Sequence, residues 1–263
     1  MRDGRVVICK KKRNVAIVTI QNPPVNTLGL EVVQQLLDVL EEIESDNDIT
    51  VVIITGIGEQ IFMAGGDIKE FPEWMGKGEK YAEMKSLKLQ QPLNQLESLS
   101  KPTIAAINGL ALGGGCELAL ACDLRIIEEQ ALIGLPEITL GLFPGAGGTQ
   151  RLPRLIGEGK AKEMMFTGKP ITAKEAKEIN LVNYITSRGE ALNKAQEIAE
   201  DISKFSLPAL AYMKLAIREG TEVPLREGLE VEARYFGKVF QTEDVKEGVK
   251  AFIEKRIPYF TNR

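Results

Sequence analysis

Up to about residue 187 the sequence alternates strand-like with helix-like apolar stretches; beyond it only helix-like stretches follow. Val6-Val7-Ile8-Cys9 and Val15-Ala16-Ile17-Val18-Thr19-Ile20 read as a hairpin whose tip is the basic run Lys10-Lys11-Lys12-Arg13. From Glu31 to Ile43, the apolar positions Val32, Val33, Leu36, Leu37, Leu40 and Ile43 fall on one helix face. Val51 to Ile54 is apolar throughout and stops at Thr55-Gly56, as a strand buried on both faces would. A second such run, Thr103 to Ile107, stops at Asn108-Gly109, and a third, Leu124 to Ile127, follows a short helix. Strands alternating with helices predict an α/β core. The later stretches, Ala191 to Phe205, Ala209 to Arg218, Leu225 to Phe240 and Val245 to Glu254, have helical spacing with no strand between them. Capping signals punctuate this part, Ser206 ahead of Pro208 and Thr242 ahead of Glu243-Asp244, and a capping-box pattern stands earlier, at Thr172-Ala173-Lys174-Glu175. The expected division is an α/β body over residues 1–200 and a helical region over 201–263, open to packing within the chain or between chains.

One stretch tests that reading. Thr103 to Cys122 is apolar, carries one formal charge, Glu117, and is long enough to suggest a membrane span. Gly113-Gly114-Gly115 interrupts it, and a carboxylate near a bilayer centre costs about 2.5–3.5 kcal/mol. Strand, glycine turn and buried helix is the better account, with no membrane partner. The N-terminus, Met1-Arg2-Asp3-Gly4-Arg5, has no apolar leader. Three cysteines, Cys9, Cys116 and Cys122, lack metal spacing and read as small core side chains of a reduced, cytoplasmic protein. With 33 basic and 37 acidic residues the formal charge is −4, which disfavours nucleic acid as a partner; the Lys10–Arg13 run reads as a solvated hairpin tip.

The chemistry is narrowed by a composition of 263 residues without one histidine. Every Ser-His or Cys-His pair and every His-ligated metal site is excluded, and no metal site is expected. Proton transfer must run on carboxylates, Lys, Tyr or Cys. Two glycine turns stand out, Ala64-Gly65-Gly66-Asp67-Ile68-Lys69 and Gly113-Gly114-Gly115-Cys116-Glu117. Neither has the Gly-Lys-Ser/Thr ending of a P-loop or the G-x-G-x-x-G pattern of a dinucleotide fold. Taken alone, each is read first as a plain tight turn, ahead of a place where a backbone N–H meets a ligand; if the two met, they would aim two donors at one developing oxyanion. Glu117 stands three residues after Gly114, on the same helix face, in an otherwise apolar stretch; stabilising its own helix dipole is its simpler role. Glu137 is similarly surrounded in Ile133-Gly134-Leu135-Pro136-Glu137-Ile138, ahead of the rigid run Pro144-Gly145-Ala146-Gly147-Gly148-Thr149-Gln150-Arg151-Leu152. On residues alone, the reading reaches a carboxylate-pair enzyme with a backbone oxyanion hole.

Taken together, Met63-Ala64-Gly65-Gly66-Asp67-Ile68-Lys69, Ala111 through Leu118, Pro136-Glu137 with Pro144 through Leu152, and Ala251-Phe252-Ile253-Glu254-Lys255-Arg256 resemble, in order and along nearly the whole chain, the enoyl-CoA hydratase/isomerase (crotonase) family. The resemblance implies a crotonase-like ββα spiral core with a C-terminal all-helical region that builds a homotrimer or homohexamer. It implies Gly66 and Gly114 as the backbone donors to a thioester oxygen, and Glu117 and Glu137 as the catalytic pair. It also implies Val25, Ala64, Lys69 and Lys255 as contacts for coenzyme A, with Lys255 reaching a neighbouring subunit's ligand. Coenzyme A would be part of the substrate, and no other cofactor is expected. Gly66 departs from the alanine commoner there, which a main-chain contact tolerates. Because both glutamate positions are filled, the resemblance points to syn hydration of a trans-2-enoyl-CoA in fatty-acid β-oxidation chemistry; isomerisation and an RNA-binding relative are the alternatives. Phe71 to Met84 lies either where the acyl pocket is shaped or on an amphipathic surface helix.

Overall fold

The computed structural model describes residues 4–263. The expectation about a leader therefore falls on Met1, Arg2 and Asp3, outside the described residues. β1 (Val7–Lys12) and β2 (Val15–Ile20) pair antiparallel, from Val7 opposite Ile20 to Lys12 opposite Val15. The basic run is therefore not the hairpin tip. Lys10, Lys11 and Lys12 belong to β1, and the turn is Arg13-Asn14, with Arg13 left-handed at φ 55°. The run's charge is met by neighbouring elements: Lys11 pairs with Asp46 at 2.9 Å and Asp48 at 3.2 Å, and Arg13 lies 3.9 Å from Glu200. Cys9 also departs from expectation. It is exposed on the outer part of β1, whereas Cys116 and Cys122 are buried.

Helix α1 (Leu30–Ser45) buries Val32, Val33, Leu36, Leu40 and Ile43, the face that helical spacing selects, with Leu37 only partly buried. After it the chain repeats one unit. β3 (Val51–Gly56) and β4 (Ile61–Ala64) lead to α2 (Glu79–Ser98); β5 (Thr103–Ile107) and β6 (Leu110–Leu112) lead to α3 (Gly114–Leu120); β7 (Leu124–Glu128) and β8 (Leu132–Gly134) follow. In each pair the first strand joins the parallel part of one sheet and the second joins the parallel part of another. That is the ββα spiral that the resemblance implies. Helices α4 (Gly148–Ile156) and α5 (Glu158–Thr167) precede β9 (Ile171–Thr172), α6 (Ala173–Glu178) and β10 (Tyr184–Thr186). The completed sheets run β1-β2-β3-β5-β7-β10 and β4-β6-β8-β9.

All six residues of β3 are buried because both faces of the larger sheet are covered. Val52, Ile54, Ala105, Ile107 and Ile127 face the main core with α1. Val51, Ile53, Ile104, Ala106 and Ile126 face the other way, onto Ala191, Ala195 and Ala199 of α7 (Ala191–Ile202). The small side chains let α7 lie close to the sheet. The tail proper is α8 (Leu207–Gly220), α9 (Leu225–Val239) and α10 (Glu243–Glu254). Ser206 and Thr242 cap α8 and α10 through Ala209 N–H and Val245 N–H, and Thr172 with Glu175 forms the capping box. Lys214 ties α8 to the body through Asp123 (2.8 Å) and the Lys101 carbonyl (3.3 Å). The tail leaves Leu225, Phe236, Phe252 and Ile253 exposed, Phe252 at 85%. Among the described residues no helix is long and apolar enough to cross a membrane.

Candidate active site

Parallel pairing of β4 with β6, and of β6 with β8, brings the ends of three strands side by side. The turns that leave those ends are stitched by their backbones. Ala64 N–H donates to the Val25 carbonyl (3.0 Å), Gly65 N–H to Leu112 (2.7 Å) and Gly113 N–H to Gly134 (2.9 Å). Leu28 N–H donates to Gly65 and Asp67 N–H to Leu28, at 2.9 and 3.4 Å. Gly66 and Gly114 N–H take part in none of these bonds. Gly114 opens α3, so its N–H has no acceptor within the helix.

Glycine is required where the turns touch. Gly113 has φ 52°, and a Cβ there would lie 2.9 Å from Glu137 Oε1 and 3.2 Å from Gly65 Cα. Gly66 is different. Its φ is ordinary, and a Cβ there would meet only Phe71 Cζ at 3.9 Å and the Leu28 carbonyl at 4.0 Å.

Glu117 sits in the first turn of α3 and is 3% exposed. Its Oε1 accepts from Ala146 N–H at 2.7 Å and Gly148 N–H at 2.8 Å. These donors belong to the glycine run that leads into α4, of which Gly148 is the first residue, so the proline-glycine turn and the helix start together hold a carboxylate. Burial pushes Glu117 above the usual carboxylate range, against the two N–H bonds and the charge of Arg151. Glu137 begins a short 3-10 helix, Glu137–Leu140, and its Oε2 is buried without a hydrogen-bond partner. Burial pushes its pKa up to about 7, and the charge of Glu117 adds to the rise. The two carboxyl groups are near enough for the charge of Glu117 to act on Glu137, and their surroundings differ: Glu117 holds two N–H donors from other residues, whereas Glu137 has one oxygen without a partner.

The expected coenzyme A contacts divide. Val25 and Ala64 are joined to the site by their mutual backbone bond. Lys69 is exposed on the 3-10 helix Ile68–Glu73, whose first turn Asp67 caps. Lys255 is exposed at the C-cap of α10, on the tail rather than the body. Phe71 to Met84 is not one surface helix. Positive φ at Gly76 and Gly78 separates the 3-10 turn from α2, and Phe71 packs on Trp74 at 4.7 Å between ring centroids.

A sequence model of the enoyl-CoA hydratase/isomerase family matches residues 10–263. The chain belongs to this family. Among enoyl-CoA hydratase/isomerase family members, the short-chain-enoyl-CoA hydratase of Clostridium acetobutylicum is 44% identical over 260 residues, 98% of either chain. The crotonyl-CoA hydratase of Syntrophomonas wolfei is 39% identical over 98% of either chain. The crystal structure of enoyl-CoA hydratase from Bacillus anthracis superposes with a TM-score of 0.92 at 41% identity, covering 98% of this chain and all of that one.

Two features of this family member are not apparent from its sequence motifs. The donors to Glu117 come from Ala146 and Gly148, inside a run read only as a rigid turn. Its glycines were the available signal, since they free backbone N–H groups. The second is α2, where Ser86, Gln90, Asn94 and Glu97 recur at helical spacing along one face; the first two bond the Gly145 carbonyl of that turn and the last two bond Arg151 of α4.

Proposed function

We propose that this family member is an enoyl-CoA hydratase, adding water reversibly and syn across a trans-2-enoyl-CoA to give 3-hydroxyacyl-CoA. The observation that carries the reading is a pair of unlike carboxyl groups within electrostatic reach of each other, Glu117 on two N–H donors and Glu137 with an orphaned oxygen and a pKa of about 7. The thioester oxygen is taken by the N–H groups of Gly66 and Gly114, where negative charge builds as C2 becomes nucleophilic. Glu117 accepts a proton from water as its oxygen bonds to C3. Glu137, close to half protonated near pH 7, delivers a proton to C2. The product gains H and OH, and the pair is reset when the proton on Glu117 passes back to Glu137. Because the two carboxyls interact, the proton inventory belongs to the pair.

Val25, Ala64 and Lys69 line the approach for coenzyme A. Lys255, remote on the tail, serves a neighbouring subunit's ligand in a homotrimer or homohexamer; the exposed Phe252 and Ile253 beside it support such assembly. An RNA-binding role gains nothing from the basic run, since Lys11 and Arg13 face carboxylates and Lys12 donates to Gln196.

The test is loss of the ultraviolet absorbance of crotonyl-CoA on mixing with the purified protein. Glu117→Gln and Glu137→Gln should each lower kcat by roughly 10²–10⁴ with folding intact. Isomerisation of a 3-enoyl-CoA without hydration of the 2-enoyl thioester would overturn the assignment, and full activity in either variant would remove the two-carboxylate mechanism.

A further inference from the structure

Each N–H that binds Glu117 belongs to a peptide group whose carbonyl is also held. Ala146 N–H shares its peptide with the Gly145 carbonyl, and that oxygen accepts from Ser86 Oγ at 2.7 Å and Gln90 Nε2 at 3.0 Å. Gly148 N–H shares its peptide with the Gly147 carbonyl, which accepts from Gln150 N–H at 3.0 Å and Arg151 N–H at 2.9 Å. The second peptide is fixed by the start of α4 itself. The first is fixed only from outside, by a helix that otherwise has no bond to the carboxylate.

From this geometry we propose that Ser86 and Gln90 of α2 are positioning residues for Glu117, holding the 145–146 peptide so that its N–H faces the carboxylate. The inference rests on the hydratase reading for its kinetic consequence but not for its structural one. A peptide that is free at its carbonyl can rotate, and its N–H leaves Glu117. One that accepts two bonds is both fixed and polarised, which makes its N–H the stronger donor. The rest of the polar stripe anchors the same turn: Arg151 bonds Asn94 Oδ1 and Glu97 Oε2 at 2.7 Å each and reaches the Ala146 carbonyl at 3.3 Å. Ser86, Gln90, Asn94 and Glu97 occupy one face of α2, so the helix registers the turn along its length. α2 also follows directly on the Phe71–Gly78 segment, which links the carboxylate's support to the segment beside Gly66.

The titratable groups facing Glu117 are Glu137 from the short 3-10 helix, Arg151 from α4 and Cys116 on its own helix, and the proposed substitutions leave all three in place. Losing the Ala146 donor removes a bond that favours the charged carboxylate, so Glu117 should titrate at higher pH.

The experiment compares wild type with Ser86→Ala/Gln90→Ala by two readouts. The first is a ¹³C NMR titration of side-chain carboxyl groups without substrate, with the Glu117 signal assigned by its loss in Glu117→Gln. The second is the pH profile of crotonyl-CoA hydration. The expected result is a higher titration midpoint for Glu117, an acid limb of kcat displaced upward to match, and kcat lowered about tenfold, equivalent to roughly 1.4 kcal/mol. KM should change less than twofold. Ser86→Thr, which keeps the hydroxyl, should titrate as wild type does. If the double variant does not fold, Ser86→Ala alone decides by the same signs. An unchanged Glu117 midpoint overturns the inference. Absence of hydration in wild type would overturn the hydratase reading instead, while the titration would still decide this one.

Discussion

Glu137→Gln should lower turnover by roughly 10²–10⁴ and at the same time weaken the pH dependence of the protein's stability. The carboxyl has a buried oxygen with no partner, and its pKa rises from 4.5 to about 7 on folding. The folded protein therefore binds this proton more tightly than the unfolded chain does. Stability tied to it is fully present below about pH 4.5 and is lost as pH rises through about 7. Between pH 5 and pH 8 the loss is at most about 2.5 kcal/mol, at 1.36 kcal/mol per pH unit. Glu137 as a residue is only half-buried, so solvent screening brings the expected value to about 1 kcal/mol. Glutamine has the same shape and no charge, so this term vanishes in the variant. The assay is urea unfolding of both proteins at pH 5 and pH 8, at matched protein concentration so that any subunit association enters both equally. The double difference cancels any fixed cost of placing an amide there. Wild type should lose about 1 kcal/mol more than Glu137→Gln between the two pH values. Equal losses, or a larger loss in the variant, would refute the argument that burial holds this carboxyl neutral.

Other consequences follow from particular contacts. Gly66→Ala should fold with stability within about 0.5 kcal/mol of wild type, because its methyl meets nothing closer than 3.9 Å, whereas Gly113→Ala should cost about 2 kcal/mol or more in urea, from φ 52° and the approach to Glu137. A thiol reagent should label one cysteine, Cys9, in the native protein and all three after unfolding, since Cys116 and Cys122 are buried and burial pushes the Cys122 thiol up to about 12; mass spectrometry of the labelled peptides checks the site. Lys214→Met should lower stability by roughly 1–3 kcal/mol, by separating α8 from Asp123 and the Lys101 carbonyl, and should expose the segment after Ser203 to limited proteolysis.

What could be read from the chain was what its local patterns encode. The burial of α1, the ends of β3 and β5, and the caps at Ser206, Thr242 and Thr172 follow from spacing and from side chains within one turn of their partners. The short strands β4, β6 and β8, of three or four residues each, have no such pattern, because the bonds that make them strands come from residues tens of positions away. The hairpin tip was misplaced for a related reason. A run of lysines looks like a loop until carboxylates from α1's end and the loop after it stand beside it. Within the site, Glu117 and Glu137 were legible as charges in apolar surroundings, but the meeting of the two glycine turns depends on the pairing of β4 with β6. Gly145, Ala146 and Gly148 were visible as a turn. That the turn faces a carboxylate on one side and Ser86 and Gln90 on the other is a fact of packing.

The absence of histidine gives this arrangement its chemical logic. The hydration proposed above must both take and give a proton near neutrality with no imidazole to titrate there, so it needs two carboxyls of one chemical type to behave differently. The structure separates them by surroundings. Glu117 gains two N–H donors and the positive field of Arg151, which favour its charged form against burial. Glu137 gains none from other residues, and its orphaned oxygen favours the neutral form. Exchanging their roles would require moving the Ala146–Gly148 turn, not altering either glutamate. The division of labour is therefore set by the backbone that surrounds the pair. Perturbations of that backbone through α2 should shift the chemistry as surely as substitution of the carboxyls themselves.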